Sequence, residues 1–178
     1  MSLNAFGKTS GTIDNVRSIK LQQFRLGGME ADSNATINVT NYITIDGSGM
    51  TTAPGFGFYA NGGTISCPGS NVIDCEYGFY ATMGGKLLAA GTSATGGTTN
   101  YYATDHAFIY ANSATHIGGT YGFYSIQGSF IDAQSTASRT AASLYDYAAL
   151  SAGTVDATSH VGGEMSTGVD DGSYVIGF

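Results

Sequence analysis

The stretch YGFYATMGGKLLAA, Tyr77–Ala90, decides how this chain is read. Its first four letters return unchanged at Tyr121–Tyr124, and GFGFYA stands upstream at Gly55–Ala60. Aligned on the last tyrosine of the phrase, the chain shows Tyr59, Tyr80, Tyr102, Tyr124 and Tyr147, in steps of 21, 22, 22 and 23 residues. The next residue is always small: Ala60, Ala81, Ala103, Ser125 and Ala148. A near-constant step marks a repeat architecture rather than a scattered binding motif.

A second register runs beside the first. GTISC, KLLAA, AFIYA, SFIDA and GTVDA follow the tyrosines, with Ile65, Leu88, Ile109, Ile131 and Val155 as their third residues. Two positions on stand Cys67, Ala90, Ala111, Ala133 and Ala157. Side chains in a strand alternate between faces, so these two columns share one face, and their apolar character makes it the inner one. The opposite parity points outward: Thr64, Leu87, Phe108, Phe130 and Thr154, then Ser66, Ala89, Tyr110, Asp132 and Asp156. The FYA phrase stays open. Tyrosine outward with Phe and Ala inward is one arrangement, and Asp146 in the phenylalanine position of the last level speaks against it. Extended backward, Ile43 lies 22 residues before Ile65 and Leu21 lies 22 before Ile43, so about seven coils fit between residue 12 and the C-terminus.

Leucine-rich repeats carry an L-x-x-L-x-L and Asn signature that is missing here, and helical repeats need helix formers in place of Gly, Ser, Thr and Tyr. A coil of about 22 residues with short strands and Gly-rich corners predicts an all-β fold, a parallel β-helix. Like residues then stack one rung apart, about 4.8 Å. The expected organisation is one domain over 1–178: a less regular coil or cap over 1–35, the clearest repeats over 55–159, and a C-terminal coil or cap over 160–178.

Composition narrows the function. Thirteen acidic against 6 basic residues leave a net charge of −7, which argues against nucleic acid, whose phosphates need clustered Lys and Arg. Charged residues make up 11% of the chain, against roughly 25% in an average domain. With 27 Gly, 12 Tyr and 9 Phe, it is too apolar for a disordered linker. No run is long enough to cross a membrane as a helix, and the start, MSLNAFGKTSGT, does not read as a signal peptide. Cys67 and Cys75 are too few for a scaffold or a zinc site; they read as small buried or turn residues, or as a single bridge. His106, His116 and His160 fall on different coils without ligand spacing, so no metal and no cofactor are expected. GTSATGGTT at Gly91–Thr99 lacks the lysine of a phosphate loop and reads as a turn.

The phrase YGFYA…GG.L.A.G.SATG.TT over Tyr77–Thr99 resembles β-helical segments of bacteriophage tail fibre and tailspike proteins, and the likeness covers about Gly55–Ser159. That resemblance implies a right-handed β-helix in a homotrimer, joined to other tail proteins and contacting bacterial surface polysaccharide. It also implies a virion protein made in the host cytoplasm without a signal peptide and without membrane insertion. Some tailspikes cleave their glycan, but no catalytic motif carries over.

The residues suggest where such functions would sit. Tyr59, Tyr80, Tyr110 and Tyr124 are candidate binding residues, since sugars meet aromatic rings and hydroxyl groups. Leu87, Phe108 and Phe130 form an apolar stripe expected at a subunit contact. Asp132 and Asp156, stacked beside Tyr110, are weak candidates for a glycosidase pair, with Glu76 a third. Retaining enzymes hold two carboxyls about 5–5.5 Å apart, and one rung nearly supplies that distance. The competing reading is that acidic residues keep the outside of a solenoid soluble. A polysaccharide-depolymerising enzyme and a bacterial surface adhesin are therefore the alternatives to a receptor-binding fibre segment. The small number of coils weighs against the enzyme.

Overall fold

The computed structural model describes residues 3–5, 12–16, 20–22, 27–50, 55–140, 142, 144–160 and 167–177. They form an all-β parallel β-solenoid with three sheets and, among the described residues, no helix. Sheet A has eight strands: Leu3–Ala5, Gly27–Asp32, Phe56–Asn61, Tyr77–Thr82, Thr99–Ala103, Tyr121–Ile126, Tyr145–Leu150 and Thr167–Val169. Sheet B also has eight: Thr12–Val16, Thr36–Val39, Thr64–Ser66, Lys86–Leu88, Phe108–Tyr110, Phe130–Asp132, Thr154–Asp156 and Tyr174–Ile176. Sheet C has six, from Lys20–Gln22 through Thr44–Asp46, Asn71–Ile73, Ser93–Thr95 and Thr115–Ile117 to Ala137–Thr140. The chain visits A, B and C in turn, so each strand pairs in parallel with its equivalent one coil away.

The corners explain the glycine content. Between sheets A and B the backbone takes two successive left-handed residues, as at Met83 (φ 51) and Gly84 (φ 72). Only glycine enters that region without a Cβ penalty. The next residue, Gly85, is glycine for a different reason: a Cβ there would sit 2.1 Å from the Ala60 carbonyl oxygen.

Two ladders build the core. Phe58, Phe79, Tyr101, Phe123 and Tyr147 stack inside sheet A, with centroids 5.2, 4.9, 4.6 and 5.3 Å apart. Opposite them, Ile37, Ile65, Leu87, Ile109, Ile131 and Val155 stack inside sheet B. Burying each of these side chains contributes roughly 1.5–3 kcal/mol. Repetition is therefore what holds the rod together.

The registers correct three expectations. Leu87, not Leu88, stacks on Ile65 and Ile109; Leu87 is 0% exposed and Leu88 40%. Leu87 is therefore no part of an outward stripe, and Ala89 rather than Ala90 fills the small column. The cause is the neighbouring Lys86, whose charge must face water. In the last coil Tyr147 pairs with Phe123, while Ala148 pairs with Tyr124. Extra residues enter that coil near Ala137–Thr140, where the pairing with Thr115–Ile117 shifts register. The FYA question closes the same way: Phe and Ala point inward and the tyrosines outward, because Asp146 does not occupy the phenylalanine position. Toward the N-terminus, Ile65 stacks on Ile37, Ile37 pairs in register with Ile13, and Leu21 pairs with Ile45 in sheet C. That coil is longer than 22 residues, so counting back from Ile65 lands on the wrong sheet.

Candidate functional site

The outer face of sheet A carries a grid of aromatic rings. Tyr59, Tyr80, Tyr102 and Tyr124 form one column, with centroids 4.7, 5.1 and 5.3 Å apart and planes within 26°. Beside it stand Phe56, Tyr77 and Tyr121, at 4.7, 5.1 and 4.6 Å from Tyr59, Tyr80 and Tyr124. Tyr145 continues that second column 6.3 Å beyond Tyr121. Strict alternation would put residues three apart on opposite faces. The YGFY phrase escapes this because Gly78 and Phe79 are both buried, which leaves Tyr77 and Tyr80 outside.

Stacking settles what this face offers. Each ring in the column lies against its neighbours above and below, so the ring faces are largely occupied and the edges and hydroxyls remain. The second column is closed at its ends, with Phe56 over Gly27 and Tyr145 over Gly168, each where a Cβ would collide with the ring; the tyrosine column ends in register with Glu30 and Ala148. The grid is thus a comb of phenol hydroxyls repeating at the rung spacing. Burial, reinforced by neighbouring Tyr80 and Glu30, pushes Tyr59 up to about 12. Tyr102 is likewise pushed up to about 12, mainly by burial. The hydroxyls keep their protons and act as both donors and acceptors.

The charges around the grid are acidic. Glu30 pairs in register with Tyr59, and its carboxyl is raised by burial and by Asp32. Asp105 accepts the Thr82 hydroxyl at 2.9 Å on the neighbouring corner. Among the described side chains, the one Lys or Arg is Lys86, on sheet B.

Sheet B presents a second surface. Phe108 and Phe130 stack at 5.7 Å with planes 2° apart. In the adjoining column Tyr110, Asp132 and Asp156 lie on successive rungs. The two carboxyls differ. Burial, helped by the Asp156 charge, raises Asp132, and its Oδ1 is buried with no hydrogen-bond partner among the described residues. Partial burial would raise Asp156 too, but hydrogen bonds from Thr158 and Gln134 hold it below the ordinary carboxylate range. Its Oδ1 accepts Thr158 Oγ1 and N at 2.6 and 3.0 Å, and its Oδ2 accepts Gln134 Nε2 at 2.9 Å.

The structure therefore brings Tyr59, Tyr80 and Tyr124 together and keeps Tyr110 apart on another sheet. Glu76 borders the grid: it is exposed at the corner between sheets C and A, its carboxylate adds to burial in raising the Tyr77 hydroxyl, and its backbone carbonyl accepts the Thr98 and Thr99 amides. Sequence reasoning missed Phe56, Tyr77, Tyr121 and Tyr145 as parts of the same surface. The signal was the glycine inside YGFY, which lets two consecutive residues turn inward. Cys67 and Cys75 are both free and buried; burial raises both thiols, Cys75 to about 12. No cluster of metal-ligating side chains occurs among the described residues. Among the described residues no helix is long and apolar enough to cross a membrane. No family model matches this sequence, and no curated protein or solved structure matches it at a significant level.

Proposed function

We propose that this chain is a receptor-binding segment of a phage tail fibre or tailspike, a right-handed solenoid in a homotrimer, and that sheet A contacts a neutral bacterial surface polysaccharide. The carrying observation is the comb of tyrosine hydroxyls on a flat face that displays acids and no described base. A polyhydroxylated chain laid along the rod would meet a donor–acceptor pair at every rung. Ring-face stacking contributes little, because the faces are already used. An anionic glycan would meet Glu30, Asp32 and Asp105 without a compensating cation among the described side chains.

Changing Tyr80 and Tyr102 together to Phe keeps both stacks and removes two hydroxyls. We expect at least a tenfold loss of affinity for a neutral host polysaccharide with an unchanged melting curve, and binding that varies little with salt. Retained affinity would refute the comb. Light scattering tests the assembly: three times the 18.3 kDa chain mass is expected. Replacing Phe108 and Phe130 by Ser should then lower that mass while the β-rich circular dichroism spectrum stays intact.

The depolymerase reading is supported by the divergent carboxyls of Asp132 and Asp156. It is opposed by Asp156 itself, since both of its oxygens already accept hydrogen bonds within the rod.

A further inference from the structure

The 12 tyrosines of the chain are unevenly placed. Seven crowd the outer face of sheet A, four of them in the column from Tyr59 to Tyr124. The other five are kept from one another. Tyr101 and Tyr147 lie in the inner ladder, where Phe123 separates them and threonine hydroxyls hold both phenols. Tyr110 stands between Leu88 and Asp132, Tyr174 lies beside Thr154, and Tyr42 is exposed outside the strands. Phenol against phenol is thus a property of one face.

On that face the reactive edge is the free one. Each ring's faces are taken by its neighbours, whereas the hydroxyl and the two ortho carbons beside it lie along the outer edge. Centroids step by 4.7, 5.1 and 5.3 Å, with planes 18, 21 and 26° apart. The strands fix this register: Tyr80 pairs with Tyr59 and Tyr102, and Tyr102 pairs with Tyr124. The ring torsion χ2 is soft, so ortho carbons one rung apart can close on each other with little movement of the strands.

We propose that this column is a site of oxidative cross-linking, where hydrogen peroxide acting through a haem peroxidase joins tyrosines of consecutive coils by an ortho–ortho carbon bond. Each of two phenols gives one electron to the oxidant and one proton to water or a neighbouring carboxylate. The two phenoxyls place their unpaired electrons in the new bond. Each joined carbon then sheds its hydrogen as a proton while each oxygen takes one up. One peroxide accepts the two electrons and two protons and leaves as two waters, so the chain loses two hydrogens per bond.

The column favours this coupling over side reactions. A phenoxyl on a solitary tyrosine must find its partner on another molecule. In the column the unpaired electron exchanges with the adjoining phenol, so two oxidised sites on one rod migrate until they meet. Carboxylates stand near for the protons: the Asp105 charge acts on the Tyr59 and Tyr80 hydroxyls, and that of Asp170 on Tyr124. No tryptophan competes for the oxidant. Each bond closes a loop of one coil and takes freedom from the unfolded chain, which ties the coils together from outside. None of this requires the face to bind a glycan.

The test treats the full chain, dilute and at neutral pH, with a haem peroxidase and limiting hydrogen peroxide, then maps the digest by mass spectrometry. We expect peptides from consecutive coils joined through Tyr59–Tyr80, Tyr80–Tyr102 or Tyr102–Tyr124, two hydrogens lighter than the sum of their parts. Oxidation without coupling would overturn the proposal, as would bonds that chiefly join separate rods or involve Tyr42, Tyr110 or Tyr174. In the Tyr80→Phe/Tyr102→Phe variant, which leaves Tyr59 and Tyr124 three rungs apart, bonds joining these coils should fall at least tenfold. An undiminished yield there would count equally against it. Should that variant not fold, the map of the unaltered chain decides.

Discussion

Thr136 and Tyr147 share a hydrogen bond at 2.6 Å between their hydroxyls, deep in the solenoid, and Thr92 and Tyr101 repeat it at 3.0 Å. In both pairs the threonine passes its proton to a corner carbonyl, of Ala133 or Ala89. Where the inner ladder carries Phe79 and Phe123, the same corner holds Ser70 and Ala114. Ser70 instead accepts the Ile43 amide at 3.1 Å. A threonine stands at the corner where the ladder brings a buried phenol, as polar burial requires.

Thr92→Val should accordingly destabilise by about 1–3 kcal/mol, because it strips a buried phenol of its main acceptor. Adding Tyr101→Phe should restore part of that loss, with a coupling of at least about 0.5 kcal/mol. Denaturant unfolding of the two single variants and the double variant measures it. Additive losses would mean that the pair is not coupled.

The two leucines of KLLAA should behave in opposite ways. Leu87→Ala removes a link of the inner column and should cost about 2–5 kcal/mol. Leu88→Ser changes an exposed position and should stay within about 0.5 kcal/mol. Thermal or chemical melts of the two variants distinguish the registers directly. Ile109→Asp, in the same column as Leu87, should abolish folding by burying an unpaired charge.

At the corner Met83–Gly85, Gly85→Ala should cost about 1–3 kcal/mol by overpacking against the Ala60 carbonyl. Gly84→Asn should cost about 1 kcal/mol or less, since asparagine tolerates the left-handed region and nothing lies within 4 Å of a Cβ there. Circular dichroism melts compare the two.

Asp132 and Asp156 should respond to amidation with opposite signs. The Asp132 carboxyl is raised, so its ionisation weakens the fold as pH rises through that value, and Asp132→Asn should stabilise at pH 7. Asp156 is lowered, so it strengthens the fold at neutral pH and loses that contribution in acid. Asp156→Asn should therefore destabilise. Each effect should stay within about 1 kcal/mol, the scale of a cross-strand pair. Melting curves at pH 7 and low salt give both signs, and a reducing-sugar assay on host polysaccharide should show no release by the parent.

Periodicity makes the solenoid legible in the sequence, because stacking like on like writes the coil length into it. Phase within a coil was less legible. KLLAA offers two adjacent leucines, and only the need to keep Lys86 in water selects between them. Tyr147 looked like the outer column because inserted residues near Ala137–Thr140 move the last coil along. The surface was half legible: Tyr59, Tyr80 and Tyr124 follow from the repeat, whereas Tyr77 and Tyr121 need the parity break at glycine. The buried His116–Asp146 contact joins residues 30 apart on different coils and different sheets, and nothing in either local sequence announces it.

The outer tyrosine column also makes the rod an optical object. The chain has no tryptophan to drain excitation away. Four phenols 4.7 to 5.3 Å apart are close enough for an absorbed photon to wander between them before it is emitted. With their planes within 26° of one another, the rings should pass that photon along with much of its polarisation kept. Near-ultraviolet dichroism should carry the coupled signature of a chiral row of chromophores. That signature would fade as coils part, so the molecule reports the continuity of its own stack without a label.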